Sequence, residues 1–166
     1  AAAAIMLVIP AYIYDWKPIK EIAIFGELLA VCSVIMCLSF IIVDIGNPLR
    51  FWHMLPLIGT LNFPFSMLSW DFFVLNIYLL LNLVVVTYLL YCIFYKKEYK
   101  KSFVLPLVLF SIPMAIAIHT TTAFLYNALP GRIFWNSALL APRFLASAFC
   151  SGPAILLILF QILRRT

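Results

Sequence analysis

Charge is what this sequence has least of. Asp, Glu, Lys and Arg make up 10% of its 166 residues, against roughly 25% in a soluble domain. Histidine is scarcer still, with only His53 and His119. A haem held inside a bundle takes a His from each of two helices, and His53 falls between apolar runs, so a bis-His haem is not expected. The four cysteines, Cys32, Cys37, Cys92 and Cys150, form neither C-x-x-C nor C-x-x-C-H. That spacing argues against iron–sulfur and c-type haem ligation, and each thiol is expected to be a small buried apolar side chain. No metal site is expected either. The start carries no charged n-region and no cleavage site, so it does not read as a signal peptide. The run Ala1–Ala4 and the end at Arg164-Arg165-Thr166 read as cut ends of a longer protein.

What is present is hydrocarbon: 66% of the residues are hydrophobic. The fold class that follows is an all-α integral membrane protein, because lipid leaves a backbone no partners except those inside a helix or a closed barrel. Four runs are long enough to cross a bilayer at about 20 residues each: Glu21–Asp44, Asp71–Tyr95, Phe103–Asn127 and Ser137–Leu163. A partial span runs to Tyr14. The expectation is one transmembrane helix-bundle domain over residues 1–166, part of a larger subunit.

The basic residues set the orientation. Lys17 and Lys20, then Lys96, Lys97, Lys100 and Lys101, then Arg164 and Arg165, alternate with connections that carry only Arg50 and Arg132. By the positive-inside rule the lysine-rich segments are cytoplasmic, and the connections 45–70 and 128–136 face outward. The net charge of +5 therefore reads as a topology signal, and no nucleic-acid partner is expected.

Against that topology, the costly polar groups collect in the outer half. Asp44 closes one span and Asp71 opens the next. His119 lies about 12 Å inside the outer end of its span and Arg143 about 9 Å inside its own, at 1.5 Å per residue. A guanidinium deep in the bilayer costs roughly 2.5–3.5 kcal/mol, so it must face protein, water or a ligand. Asp71, Tyr78 and Asn82 share a helical face, as do His119, Thr122 and Tyr126, and Arg143, Ser147 and Ser151. Ala148 and Gly152 permit close helix packing, and Pro106, Pro113, Pro142 and Pro153 suggest kinks. Simpler readings stand beside these. Asp44 and Asp71 also suit an interface, His119 a packing hydrogen bond, and Arg143 an ion pair with either acid. Glu27, alone in the inner half, suits a snorkelling cap or a proton-path acid.

The segment Asp44-Ile45-Gly46-Asn47-Pro48-Leu49-Arg50-Phe51-Trp52-His53 resembles the D-x-G-x-P-x-R-F-W motif of the NrfD/PsrC-like membrane subunits of polysulfide reductase and related sulfur and nitrite complexes. Ser66-Met67-Leu68-Ser69-Trp70-Asp71, His119-Thr120-Thr121-Thr122-Ala123-Phe124 and Ala141-Pro142-Arg143-Phe144-Leu145-Ala146-Ser147-Ala148-Phe149 extend the resemblance over nearly the whole chain from Glu21. The flavour is closest to the Dsr and Hmc subunits of sulfate reducers. The chain departs from the family at Asn47, where Arg often stands. The resemblance implies an eight-or-more-helix subunit in a prokaryotic inner membrane. It also implies a (mena)quinone site near the outer face, no redox cofactor in this chain, and an iron–sulfur, ferredoxin-like partner docked outside.

The residues suggest how such a site would work. Asp71 and His119 would carry the protons, Arg143, Tyr126 and Tyr78 would orient the headgroup, and Asp44, Arg50 and His53 would complete the site toward the outer phase. A proton-translocating subunit without quinone turnover, or a passive membrane anchor, are the alternatives. The expectation peculiar to the first reading is that Asp71 and His119 meet in one outer pocket with Arg143 on its wall.

Overall fold

The structure is a computed structural model that describes residues 2–14, 16–44, 46–54, 59, 62–97, 99–129 and 131–165. Every element among them is helical. They are α1 (Ala2–Val8), a π-helical turn Ile9–Ile13, α2 (Lys17–Asp44), a 3₁₀ turn Pro48–Met54, α3 (Met67–Phe94), α4 (Lys101–Asn127) and α5 (Leu140–Arg165). Four of them are long and apolar enough to cross a membrane. All-α membrane architecture is therefore the observed class, and the four expected spans are present.

The boundaries differ in informative ways. Helix α3 begins at Met67 rather than Asp71, so Asp71 lies in the second helical turn instead of at the interface. Helix α5 begins at Leu140 rather than Ser137, and the Arg143 amide donates to the Leu139 carbonyl. Arg143 is thus in the first turn, shallower than expected. The cause is Pro142: the first amides of a helix have no intrahelical acceptor, so proline starts α5 there and does not kink it. Pro106, Pro113 and Pro153 do lie within helices, and the backbone continues through them, as membrane helices tolerate. The partial span ends in a π-turn at Pro10, where the missing amide breaks the i→i+4 ladder and Tyr14 N–H reaches Ile9 O instead.

The helices close into a ring in which α1 packs on α2, α2 on α3, α3 on α4, α4 on α5, and α5 back on α1. Two apolar clusters fill it. One lies toward the lysine-rich end and holds Val8, Ala11, Tyr12, Val85, Leu89 and Val108. The other lies farther out and holds Ile5, Val34, Leu75, Tyr78, Ala115 and Ile118. The outside of the ring is equally apolar: Phe40, Leu80, Phe94 and Leu157 are all exposed. Side chains that hydrophobic on the outside suit lipid and not water.

Three of the four cysteines correct the expectation of burial. Cys92 is buried, but Cys32, Cys37 and Cys150 are exposed free thiols on the bundle surface. A thiol is apolar enough to face hydrocarbon, so in a membrane helix it gains nothing by turning inward. Lys97 packs over the rings of Tyr91 and Tyr95 at the end of α3, where a cation beside aromatics suits the bilayer interface.

The alternating ends of α2 to α5 make orientation testable. In a cysteine-free background, Asn62→Cys is expected to react with an impermeant maleimide added outside intact cells. Lys100→Cys is expected to react only after permeabilisation. The reverse pattern would invert the topology.

Candidate functional site

Two cavities flank α4 in the half of the bundle away from the lysine-rich end. The first lies among α2, α3 and α4 and encloses about 710 Å³. Asp44, Cys37, Phe40, Asp71, Thr122 and Tyr126 are on its wall. Asp71 is only 3% exposed. Its Oδ1 accepts hydrogen bonds from Thr121 Oγ1 at 3.1 Å and Thr122 Oγ1 at 2.9 Å. Each hydroxyl also reaches an α4 carbonyl, of Ala117 or Ile118, so its single proton is shared. Thr121 is a partner that the helical stripes do not pick out. The signal for it is the run Thr120-Thr121-Thr122 inside an otherwise apolar helix.

The second cavity lies between α4, α5 and the segment leading into α5, and encloses about 420 Å³. Its wall carries His119, Phe134, Trp135, Arg143, Phe144 and Ser147. Beneath it is a chamber of about 190 Å³ lined by Gly26, Ser33, Gly152 and others. His119, Ala148 and Ser151 line both spaces. The small residues leave the room: Gly26, Ala30, Ala148 and Gly152 occur where helices approach. His119 Nε2 is buried and has no hydrogen-bond partner among the described residues. Arg143 sits over the Phe134 ring at 5.1 Å. It forms no ion pair with Asp44 or Asp71 among the described residues, so it is not their structural partner.

The expected single pocket is therefore two. Asp71 lines one cavity, while His119 and Arg143 line the other. The reason is helical periodicity. Residues three apart are about 60° apart around a helix, so Thr122 and His119 occupy the two flanks of α4 rather than one narrow stripe. Tyr126 stands between the two spaces. It lines the Asp71 cavity, and its ring packs on Trp135 at 5.1 Å and Phe144 at 5.7 Å, both on the wall of the other.

The remaining candidates separate from both cavities. Tyr78 is 1% exposed and faces a small interior pocket with Glu27 and Asn82. It is a full turn and more below Asp71, and the bundle turns that face inward rather than outward. Arg50 and His53 are exposed on the 3₁₀ turn, with His53 stacked on Trp52 at 3.9 Å, and neither lines a cavity. Residues 45, 55–58, 60 and 61 of that outer connection lie outside the described residues. Among the described residues, no three His, Cys, Asp or Glu side chains cluster as metal ligands would.

An outward-opening apolar cavity with a few convergent polar groups is the ordinary form of a small-molecule site, here set in a helical membrane bundle. Over residues 1–166 the chain matches the family described as polysulphide reductase, NrfD, and it belongs to that family. It is a multi-pass membrane protein. It is also similar to a selenate reductase subunit of Mesobacillus selenatarsenatis, at 25% identity over 193 aligned positions that take in 97% of this chain and 44% of that protein. The chain thus spans less than half the length of that relative, whose bacterial source fits a prokaryotic membrane. No solved structure gives a significant match.

The threonine clamp on Asp71 makes one stability prediction. Thr121→Val with Thr122→Val is expected to destabilise the protein in mixed micelles by about 1–2 kcal/mol, the scale of interhelical hydrogen bonds in membranes. In the Asp71→Asn background the same double change is expected to cost less. Equal costs in both backgrounds would show that the clamp does not join α3 to α4.

Proposed function

We propose that this chain is the quinone-handling part of a membrane subunit in a multi-subunit reductase, with the site in the α4–α5 cavity. The observation that carries this reading is His119: a buried imidazole nitrogen, without a hydrogen-bond partner among the described residues, on the wall of a space that also holds Arg143 and three aromatic rings. A quinone headgroup is flat, has two carbonyl acceptors, and exchanges two electrons and two protons on reduction. Flat rings of Phe134, Trp135 and Phe144 offer it stacking surface. The Arg143 guanidinium offers hydrogen bonds to a carbonyl oxygen and charge where electron density grows. His119 can donate a hydrogen bond to one carbonyl and exchange a proton there.

Asp71 takes a separate part. It lies in the neighbouring cavity, away from the headgroup, and shares that cavity with Asp44 at the outer end of α2. We assign this acidic cavity to proton exchange with the outer phase, with Tyr126 the hydroxyl-bearing wall between the two spaces. The partner that exchanges electrons with the site is an iron–sulfur subunit docked on the outer connections, where Arg50, Trp52 and His53 are exposed. The similarity to a selenate reductase subunit supports assembly with other redox subunits.

The division of labour is directly measurable in membranes containing the full-length protein and its complex. His119→Ala and Arg143→Ala are each expected to weaken binding of a menaquinol analogue by about tenfold, equivalent to ~1.4 kcal/mol. Asp71→Asn is expected to leave that affinity within about twofold, and to slow turnover while increasing its dependence on outer pH. Unchanged affinity in both the His119 and Arg143 variants would remove the quinone from this cavity.

A further inference from the structure

We propose that Glu27 is a proton-binding site in the inner half of the bundle, a carboxylic acid that shares its pocket with one water molecule. The site goes beyond the quinone reading. Glu27 lies about 25 Å along α2 from Asp44, and its polar neighbours line neither outer cavity.

The geometry is unusual for a carboxyl group. Glu27 is 2% exposed, and its Oε2 is buried with no hydrogen-bond partner among the described residues. It faces a pocket of about 10 Å³ at the junction of the two apolar clusters, lined from α3 by Tyr78 and Asn82 and from α4 by Ser111. A volume near 10–15 Å³ is about that of one water, provided two to four polar partners surround it. The pocket supplies them: the Tyr78 phenol both donates and accepts, and Asn82 and Ser111 add further polar atoms. Ser111 Oγ donates its proton to Val108 O at 2.8 Å, which leaves its lone pairs. Asn82 Nδ2 donates to Tyr78 O at 2.8 Å, which leaves its second N–H and its carbonyl oxygen. The acceptors among these, the Ser111 and Tyr78 hydroxyl oxygens and the Asn82 carbonyl, take proton donors as partners. A neutral acid supplies one through its O–H, and a water supplies two.

Among the described residues, no cation lines the pocket from any packed element. Helix α1 presents Ala4, Ile5 and Val8, α3 presents Tyr78, Leu81, Asn82 and Val85, and α4 presents Val108 and Ser111. The phenols of Tyr12 and Tyr78 are titratable groups within electrostatic reach of Glu27. A bare carboxylate there would carry the full cost of an unpaired buried charge. A snorkelling cap would place its oxygens in water, and these oxygens are not. Ala4 lines both this pocket and the chamber beneath His119, and Gly26, next to Glu27 in the chain, lines that chamber too.

Infrared spectroscopy of the full-length protein in lipid nanodiscs, with no quinone or partner added, tests this. At neutral pH a protonated-carboxyl C=O band is expected that shifts when H₂O is replaced by D₂O. It should vanish in Glu27→Gln and persist in Asp71→Asn. Ser111→Ala, which removes an acceptor, should move its frequency. If Glu27→Gln fails to accumulate, Glu27→Asp keeps an acid and should displace the band. A spectrum in which no protonated-carboxyl band depends on residue 27, or in which that band ignores D₂O, overturns the proposal. Menaquinol-analogue affinity in Glu27→Gln should stay at the wild-type value, so the two readings fail separately.

Discussion

A polar side chain in hydrocarbon must find its partners within the protein, and this bundle is arranged around that requirement. Its clearest case is Asp71. The carboxyl group is carried by α3, and both of its hydroxyl donors come from α4. The two helices are held in one rotational setting by those bonds, since turning either by a few tens of degrees would leave a carboxyl group unpartnered in an apolar interior. The same setting determines what the rest of α4 faces. With Thr121 and Thr122 committed to α3, His119 is turned toward α5 and the chamber bounded by Gly26, Ala148 and Gly152.

Room for a ligand arises from the same helices. Where Gly26, Ala30, Ala148 and Gly152 line the chamber beside His119, their small side chains leave it open. Above that level the aromatic residues before and within α5 form the wall of a wider cavity. The buried His119 nitrogen sits at the change between the two. Satisfied and unsatisfied polar groups thus mark different roles along one membrane-spanning scaffold. Asp71 is bonded and builds the helix pair, whereas His119 and Glu27 each present a buried atom that has no hydrogen-bond partner among the described residues. Buried polar atoms left open in that way are uncommon in native proteins and coincide with places where a proton, a water or a ligand enters.

The four spans, their alternation and the membrane class are legible in the chain because hydrophobic length and lysine placement report directly on lipid. The candidate polar residues are legible for the same reason: Asp71, His119, Arg143 and Glu27 are conspicuous where charge is otherwise absent. Their grouping is not. A helical stripe spans a wide arc, so His119, Thr122 and Tyr126 read as one face, yet neighbours on opposite sides of α4 divide that face between two cavities. The depth of Arg143 is hidden too, because only the local bonding shows that Pro142 opens α5 and places the arginine in its first turn. Composition alone therefore determined what this protein is immersed in and which side chains are too costly to be idle. Only the packing of α3, α4 and α5 decided which of those side chains meet, since rotation of a helix about its axis costs nothing in lipid until a neighbouring helix supplies the hydrogen bonds.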